Sequence, residues 1–385
     1  MTKRIGIIGA GNRVTGVWEE NLKDLGLDLT LAAAADPDGE GVRKRLEQKG
    51  LWHEGLRIWP DAETMLDQEK LDGVMVGTRC SLHARYAALV MGRGLPLFLE
   101  KPVATTDADL NLLREAAAQR TAPVLVSFPL RAADIAREAK RIIDSGVLGQ
   151  ISQIQAVNNV WYGRGYYKKW YRDDSETGGL FLQKATHDLD CILYLTGFRP
   201  TRVCAMKSKV IYRGDRPAGL RCRDCSEQYT CPESTWVLEH RFGEASQPDT
   251  CSFAVDTGNE DSGSLLLEFD NGVHAAYTQN FVVRKDAGKR LFRVIGFEAT
   301  LEFDFITGTL KVFHHQRAET ETRVFDGGSG HFGGDRYLMA SFLEMLYEGK
   351  APCASIEDGL LSALVCLRAR QSSEEGRFRD IRFEA

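Results

Sequence analysis

The sequence predicts an α/β protein: an N-terminal doubly wound parallel sheet, then an α+β domain with an open, mostly antiparallel sheet. Three observations carry this. Up to residue 126, short apolar runs alternate with segments of helical spacing, the pattern of parallel βαβ units. Beyond residue 127 the pattern turns to period-two alternation broken by hairpin turns. A glycine pair, Gly9 and Gly11, marks a tight turn where the first strand runs into the first helix.

Each element follows from its residues. The runs 4–8, 29–35, 73–77, 97–99 and 124–126 are short and apolar throughout, which suits strands covered on both faces. Between them, 14–25, 41–49, 82–91 and 108–119 have the apolar spacing of helices that pack on a sheet. A further helix is expected over 132–145, ending at Gly146. Strands at 264–269 and 273–281 flank Asp270-Asn271-Gly272, and Asn-Gly tolerates the positive φ of a tight hairpin. The runs 291–295, 300–305 and 309–313 continue the meander, with Gly296 and Gly308 near its turns. Helices at 335–347 and 356–371 close the chain, and residues 214–263 read as a loose insertion. The expected division is 1–126 and 127–385, without an internal repeat.

Composition narrows the function classes. A chain of 385 residues suggests two or three domains at roughly 150 residues each. Charged residues at 27% and apolar ones at 43% exclude a largely disordered chain. Lys plus Arg number 49 against 54 Asp plus Glu, and a net charge of −5 argues against a general nucleic-acid binder. No apolar run approaches the roughly 20 residues that span a bilayer. The opening MTKRIGIIGAG passes straight into a strand pattern, so a soluble, cytoplasmic protein is expected. Cys80, Cys191, Cys204, Cys353 and Cys366 sit in apolar runs and read as buried thiols.

Gly9 is placed for the tight turn and Gly11 to let a pyrophosphate touch the backbone at a helix N-terminus. With Asn12, Arg13 and Val14 they form the expected phosphate loop, although Val14 fills the third small position of a GxGxxG. The second strand ends in Asp36, whose carboxylate suits both ribose hydroxyls of NAD and repels a 2′-phosphate. Capping of the following turn is its alternative role. Residues 1–126 are therefore expected to bind NAD.

The fourth strand of this half runs into Gly77-Thr78-Arg79-Cys80-Ser81-Leu82-His83, and the fifth into Glu100-Lys101-Pro102. Thr78 with His83 five residues on, followed by Glu-Lys-Pro, resembles the Gfo/Idh/MocA family, named for glucose–fructose oxidoreductase and inositol dehydrogenase. The resemblance covers nearly the whole chain. It implies a Rossmann domain whose cofactor site includes Thr78, His83, Glu100 and Lys101. It also implies a substrate domain over 127–385 whose open sheet pairs copies into a homo-oligomer. Lys101 would lie between nicotinamide and substrate, where an ammonium can bond the reacting hydroxyl and hold negative charge as hydride leaves. A solvated surface lysine is the bland alternative.

The segment from Gly178 to Asp190 is similar to the family's second signature, in which a helix presents an Asp and a His four residues apart. His187 matches, but Gln183 stands at the Asp position and cannot ionise. Lys184, one turn before His187, makes a Lys-x-x-His variant similar to cysteine-bearing members. The expectation is acid–base work by Lys101 and His187, with Lys184 and Gln183 binding substrate; a structural His187 is the alternative. Ser329-Gly330-His331-Phe332-Gly333-Gly334-Asp335 resembles a His-Gly-Gly-Gly-Asp stretch of the same relatives, with Phe332 replacing one glycine. His331 is a candidate pocket residue, while Asp335 favours the start of a helix electrostatically.

The stretch from Trp161 to Arg172 interleaves aromatic and basic residues. Aromatic rings stack on sugar faces, and Arg or Lys can clamp an anion. Tyr166 is expected in a pocket wall, with Arg164 and Arg172, beside Lys168 and Lys169, holding an anionic substituent such as a uronate or sulfonate. Single-stranded nucleic acid and plain surface packing are competing accounts. Cys222-x2-Cys225-x5-Cys231, with Cys251 nineteen residues on, is a candidate structural zinc set. A disulfide, an iron–sulfur cluster and reduced thiols remain alternatives.

The leading functional expectation is an NAD-dependent oxidoreductase acting on a sugar or polyol hydroxyl. The second is an NAD-dependent glycosidase that oxidises C3 transiently, eliminates the aglycone, adds water and re-reduces. The third is a non-catalytic NAD-binding regulator. No nucleic-acid or membrane partner is expected.

Overall fold

The computed structural model describes residues 2–22, 28–244, 247–326 and 331–383. Its first sheet is built from β1 (Lys3–Ile8), β2 (Leu29–Ala35), β3 (Arg57–Trp59), β4 (Gly73–Val76), β5 (Leu97–Leu99) and β6 (Val124–Val126). All pair in parallel, in the order β3-β2-β1-β4-β5-β6. The order reverses between β1 and β4, so their crossovers leave in opposite directions and open a crevice beyond the strands' C-terminal ends. β4, β5 and β6 are buried along their whole length because helices cover both faces. The helix expected at 14–25 spans Asn12–Asn21, and positions 23–25 lie outside the described residues.

The second sheet contains β7 (Ile151–Asn159), β8 (Pro200–Ser208), β9 (Ser262–Phe269), β10 (His274–Asn280), β11 (Lys289–Gly296), β12 (Ala299–Asp304), β13 (Thr309–His314), β14 (Thr320–Val324) and β15 (Arg379–Asp380). Their order is β14-β13-β12-β11-β7-β10-β9-β8-β15, and β10 on β7 is the parallel pair in an otherwise antiparallel sheet. Alternation turns Ile154, Ala156, Leu265, Leu267, Phe292 and Val294 inward, where they are buried. Met206 and Leu266 point to the other face and are exposed. Helices Thr186–Thr196 and Ile356–Glu375 pack on one another, and the latter also lies on β8 and reaches β6.

One late helix packs across the expected division at residue 126. Gly334–Glu348 returns to the first sheet, where Leu338, Met339, Phe342 and Met345 join the core of Ile5, Met75 and Phe98. The Phe342 ring meets Phe98 edge-on at 5.7 Å. Residues from late in the chain thereby reach the C-terminal edge of the parallel strands. Among the described residues no helix is long and apolar enough to cross a membrane.

Candidate active site

The glycine turn after β1 forms a cradle. Gly9 has φ of 77°, and a Cβ there would lie 2.5 Å from Thr78 Cγ2. A Cβ on Gly11 would meet nothing closer than Gly77 O at 3.8 Å, so the backbone at the helix start is open to a ligand. Gly11 caps the Asn12–Asn21 helix without a side-chain bond, which leaves its first N–H groups available to phosphate. The missing third glycine is also explained. Val14 is fully buried, and a Cβ on Gly77 would come within 2.0 Å of its Cγ2. The close approach that normally demands a small residue on the helix is met here by a glycine on the facing strand end. Asp36 follows β2, and one of its oxygens accepts the Asp38 N–H at 3.0 Å, so it does cap the turn. These features fit a dinucleotide.

Three residues expected at the cofactor site make hydrogen bonds within the chain. Arg13 donates from Nε to Glu100 at 2.9 Å and from two guanidinium nitrogens to Asp335 at 2.8 and 2.6 Å. It also reaches Ser127 Oγ at 3.2 Å. Arg13 and Glu100 are thus engaged with each other and with the returning helix. His331 Nδ1 lies 2.9 Å from the same Asp335. Burial would raise the Asp335 carboxyl, but the bonds from Arg13 and His331 outweigh it and hold it well below the usual range. His83 is buried, with Nδ1 at 2.8 Å from Pro102 O and Nε2 at 3.2 Å from Thr78 O. It clasps the Thr78 loop to the Lys101–Pro102 turn.

The reacting groups gather around a wide turn, Phe181–Ala185, that leads directly into the Thr186–Thr196 helix. Such turns widen the helix and re-aim side chains at functional sites. Lys101 Nζ donates to the backbone oxygen of Gln183 at 2.8 Å and to its Oε1 at 2.9 Å. Gln183, expected to hold substrate, holds the lysine. Burial lowers Lys101 to about 8, and neighbouring Lys184 and Arg13 act in the same direction. His187 is buried, and among the described residues its Nδ1 has no hydrogen-bond partner. Burial, followed by the charges of Lys101, Arg290 and Lys184, pushes His187 well below its ordinary value, so the ring is neutral. The His331 ring lies 5.9 Å from it. Ser329 and Gly330 of the same stretch lie outside the described residues.

Lys184 Nζ donates to the Tyr162 hydroxyl. Burial, then the Arg290 charge, pull Lys184 down to about 7. Asp188 beneath it accepts from Arg290 Nε at 2.7 Å, Asn158 Nδ2 at 2.7 Å and the Tyr277 hydroxyl at 2.9 Å. Asp190 takes the Arg131 guanidinium, with Nε at 2.9 Å. Sequence reasoning missed Asn158, Tyr277 and Arg290. Their signal was a polar residue at an inward position of an alternating strand: Arg290 on β11 stands opposite Asn158 on β7.

A cavity of about 650 Å³ adjoins this centre, walled by Trp161, Tyr162, Tyr166 and Tyr171 with Lys169 and Lys285. Tyr166 is in the wall as expected, its ring 5.5 Å from Tyr171 and 5.4 Å from Phe281. The arginines expected to clamp an anion are already paired. Arg164 bonds Glu233 at 2.9 Å and also Glu244, while Arg172 bonds Asp256 and Thr257, each at 2.8 Å. Lys168 is buried, with Nζ 2.9 Å from Thr250 O and 3.6 Å from Cys222 Sγ.

The four cysteines of the expected zinc set lie close enough for their charges to act on one another, but not at ligand spacing. Cys222, Cys225, Cys231 and Cys251 are unbridged, and Cys222 Sγ lies 3.6 Å from Thr250 O. Tetrahedral thiolate ligands stand about 4 Å apart. Among the described residues, the group with three ligand atoms within 4.8 Å of one another is His314, Glu319 and Glu321, not the cysteines. The four thiols are thus neighbours without the spacing of zinc ligands.

Comparisons place this architecture. Residues 3–128 match the model of the oxidoreductase family with NAD-binding Rossmann fold, and residues 136–302 match the GFO/IDH/MocA C-terminal domain. YteT of Bacillus subtilis is 26% identical over 75% of this chain and 75% of its own length. Myo-inositol 2-dehydrogenase of Thermotoga maritima is 22% identical over 97% of both chains. In three dimensions, levoglucosan dehydrogenase in complex with NADH and L-sorbose superposes with a TM-score of 0.78 at 18% identity, covering 99% of both chains, a likeness of fold. The chain belongs to the Gfo/Idh/MocA family of NAD-binding oxidoreductases.

Proposed function

We propose that the protein oxidises a hydroxyl group of a sugar or sugar-like polyol. The observation that carries this reading is Lys101, fixed by two oxygens of Gln183 near a neutral His187 whose Nδ1 has no partner among the described residues. NAD, when bound over Gly9 and Gly11, supplies a hydride acceptor. The two bonds to Gln183 leave the third proton of the Lys101 ammonium free to hold the substrate oxygen. His187 takes the hydroxyl proton as the C–H hydride departs, leaving a carbonyl whose oxygen Lys101 continues to bond. Gln183, being neutral, orients Lys101 without cancelling its charge. The rings of Tyr162, Tyr166 and Tyr171 offer apolar surface to a sugar face.

One observation favours the glycosidase reading as a second. Lys184 is a buried amine lowered to about 7, so near neutrality it can lose its proton and act as a base. Such a base beside a transient ketone could remove the adjacent C–H proton. Incubation with NAD and a panel of sugars and glycosides separates the two: net NADH identifies a dehydrogenase, and sugar release without net NADH identifies a glycosidase. No NADH and no release, with NAD bound, would refute both. The exposed Met206 and Leu266 on the outer face of the second sheet support pairing of copies there, which the solution mass would test.

A further inference from the structure

The charges around the reacting centre do not balance. Four basic side chains, Lys101, Lys184, Arg290 and Arg13, face three carboxylates, Asp188, Glu100 and Asp335. Each carboxylate already has partners: Asp188 has Arg290, Asn158 and Tyr277, and Glu100 and Asp335 share Arg13. An ammonium carries three donors, and Lys184, 3% exposed, has the Tyr162 hydroxyl as its hydrogen-bond partner among the described residues. His187 beside it has a buried nitrogen, Nδ1, without a partner among the described residues. A buried cation with unmatched donors is costly unless an acceptor arrives. Tyr162 connects this position to the cavity, where Lys169 and Lys285 add positive charge at the wall and Glu244 is held by Arg164.

We propose that the substrate is a sugar acid whose carboxylate is received by Lys184 Nζ and the Tyr162 hydroxyl, while its reacting hydroxyl lies on Lys101. This deepens the oxidoreductase reading and rests on it for the reaction, though not for the binding. The anion site is the Lys184–Tyr162 pair, since Arg164 and Arg172 are neutralised by their own carboxylates. A charge-assisted bond of this kind contributes about 1.5–3 kcal/mol, roughly ten- to a hundredfold in affinity.

The test uses the full-length protein loaded with NAD and matched pairs of hexose and hexuronic acid that differ only at C6. The acid should be oxidised with kcat/KM at least tenfold higher than the hexose, mainly through KM. Lys184→Gln should depress the acid at least tenfold more than the hexose, and Tyr162→Phe should raise KM more for the acid. Equal kcat/KM for acid and hexose, or equal losses in both variants, would overturn the proposal. A binding arm separates it from the reaction: the shift in Tm of the NAD-loaded protein with each sugar. If no sugar yields NADH, the oxidoreductase reading fails; stabilisation by the acid that Lys184→Gln abolishes would still support the anion site. Identical shifts for acid and hexose would overturn it.

Discussion

Replacing Lys184 by Met should stabilise the fold near pH 6 while damaging the site. Lys184 is 3% exposed, and burial followed by the Arg290 charge lowers it from 10.5 to about 7. The unfolded chain keeps the ordinary value, so between these limits the unfolded state binds more protons. Stability attributable to this group is therefore complete above 10.5, declines as pH falls toward 7, and stays low below that. At about 1.4 kcal/mol per unit, the shift sets an upper bound of roughly 5 kcal/mol. Relaxation and water penetration reduce that figure, and Met loses the Tyr162 bond, so the expected gain is about 1–3 kcal/mol near pH 6. The assay is the difference in denaturant midpoint between Lys184→Met and the unmodified protein, at about pH 6 and about pH 10. The advantage of the variant should fade at the higher pH. A variant that is less stable at pH ~6, or an advantage independent of pH, refutes the reasoning.

Asp36→Ala should narrow the preference for NAD over NADP, read from dissociation constants of the two cofactors; equal affinities in the unmodified protein would remove the argument. Gly77→Ala should drive a methyl into Val14, lowering stability by about 1–3 kcal/mol and weakening NAD binding, measured by thermal melting and titration. Asp335→Asn should cost about 3 kcal/mol, because it leaves the Arg13 guanidinium without its bidentate carboxylate; an unchanged Tm would contradict the stitching role. The rate of oxidation should fall above about pH 8, as Lys101 loses the proton that holds the substrate oxygen, whereas a rise across that range would make Lys101 the base.

Much of this architecture was legible in the sequence, for identifiable reasons. Buried parallel strands such as 97–99 and 124–126 must be continuously apolar, and the hairpin at Asn271-Gly272 needs residues that tolerate positive φ. β3 and β7 were not anticipated. Arg57–Trp59 is a partly exposed edge strand, and β7 carries Ser, Gln and Asn on both faces, so neither shows an apolar run. Lys101 and His187 are expectations drawn from resemblance to the family's signatures, while Gly9 was legible because its turn demands glycine. Pairings across the chain were not. Arg13 with Asp335 spans 322 positions and Arg290 with Asp188 spans 102, and no local pattern encodes which acid meets which base. For the same reason Arg164 and Arg172 read as free cations, although Glu233, Glu244 and Asp256 neutralise them.

The central claim is that Lys101, held by Gln183 beside His187, serves hydride transfer from a substrate hydroxyl. Its most direct test is single-turnover NADH formation by the NAD-loaded protein and by Lys101→Met, using the best substrate of the hexuronic acid panel, with NAD affinity measured in parallel. The account predicts NADH formation at least about a hundredfold slower in the variant, with the NAD dissociation constant essentially unchanged. Equal rates in the two proteins, or a loss accounted for entirely by weaker NAD binding, would contradict it.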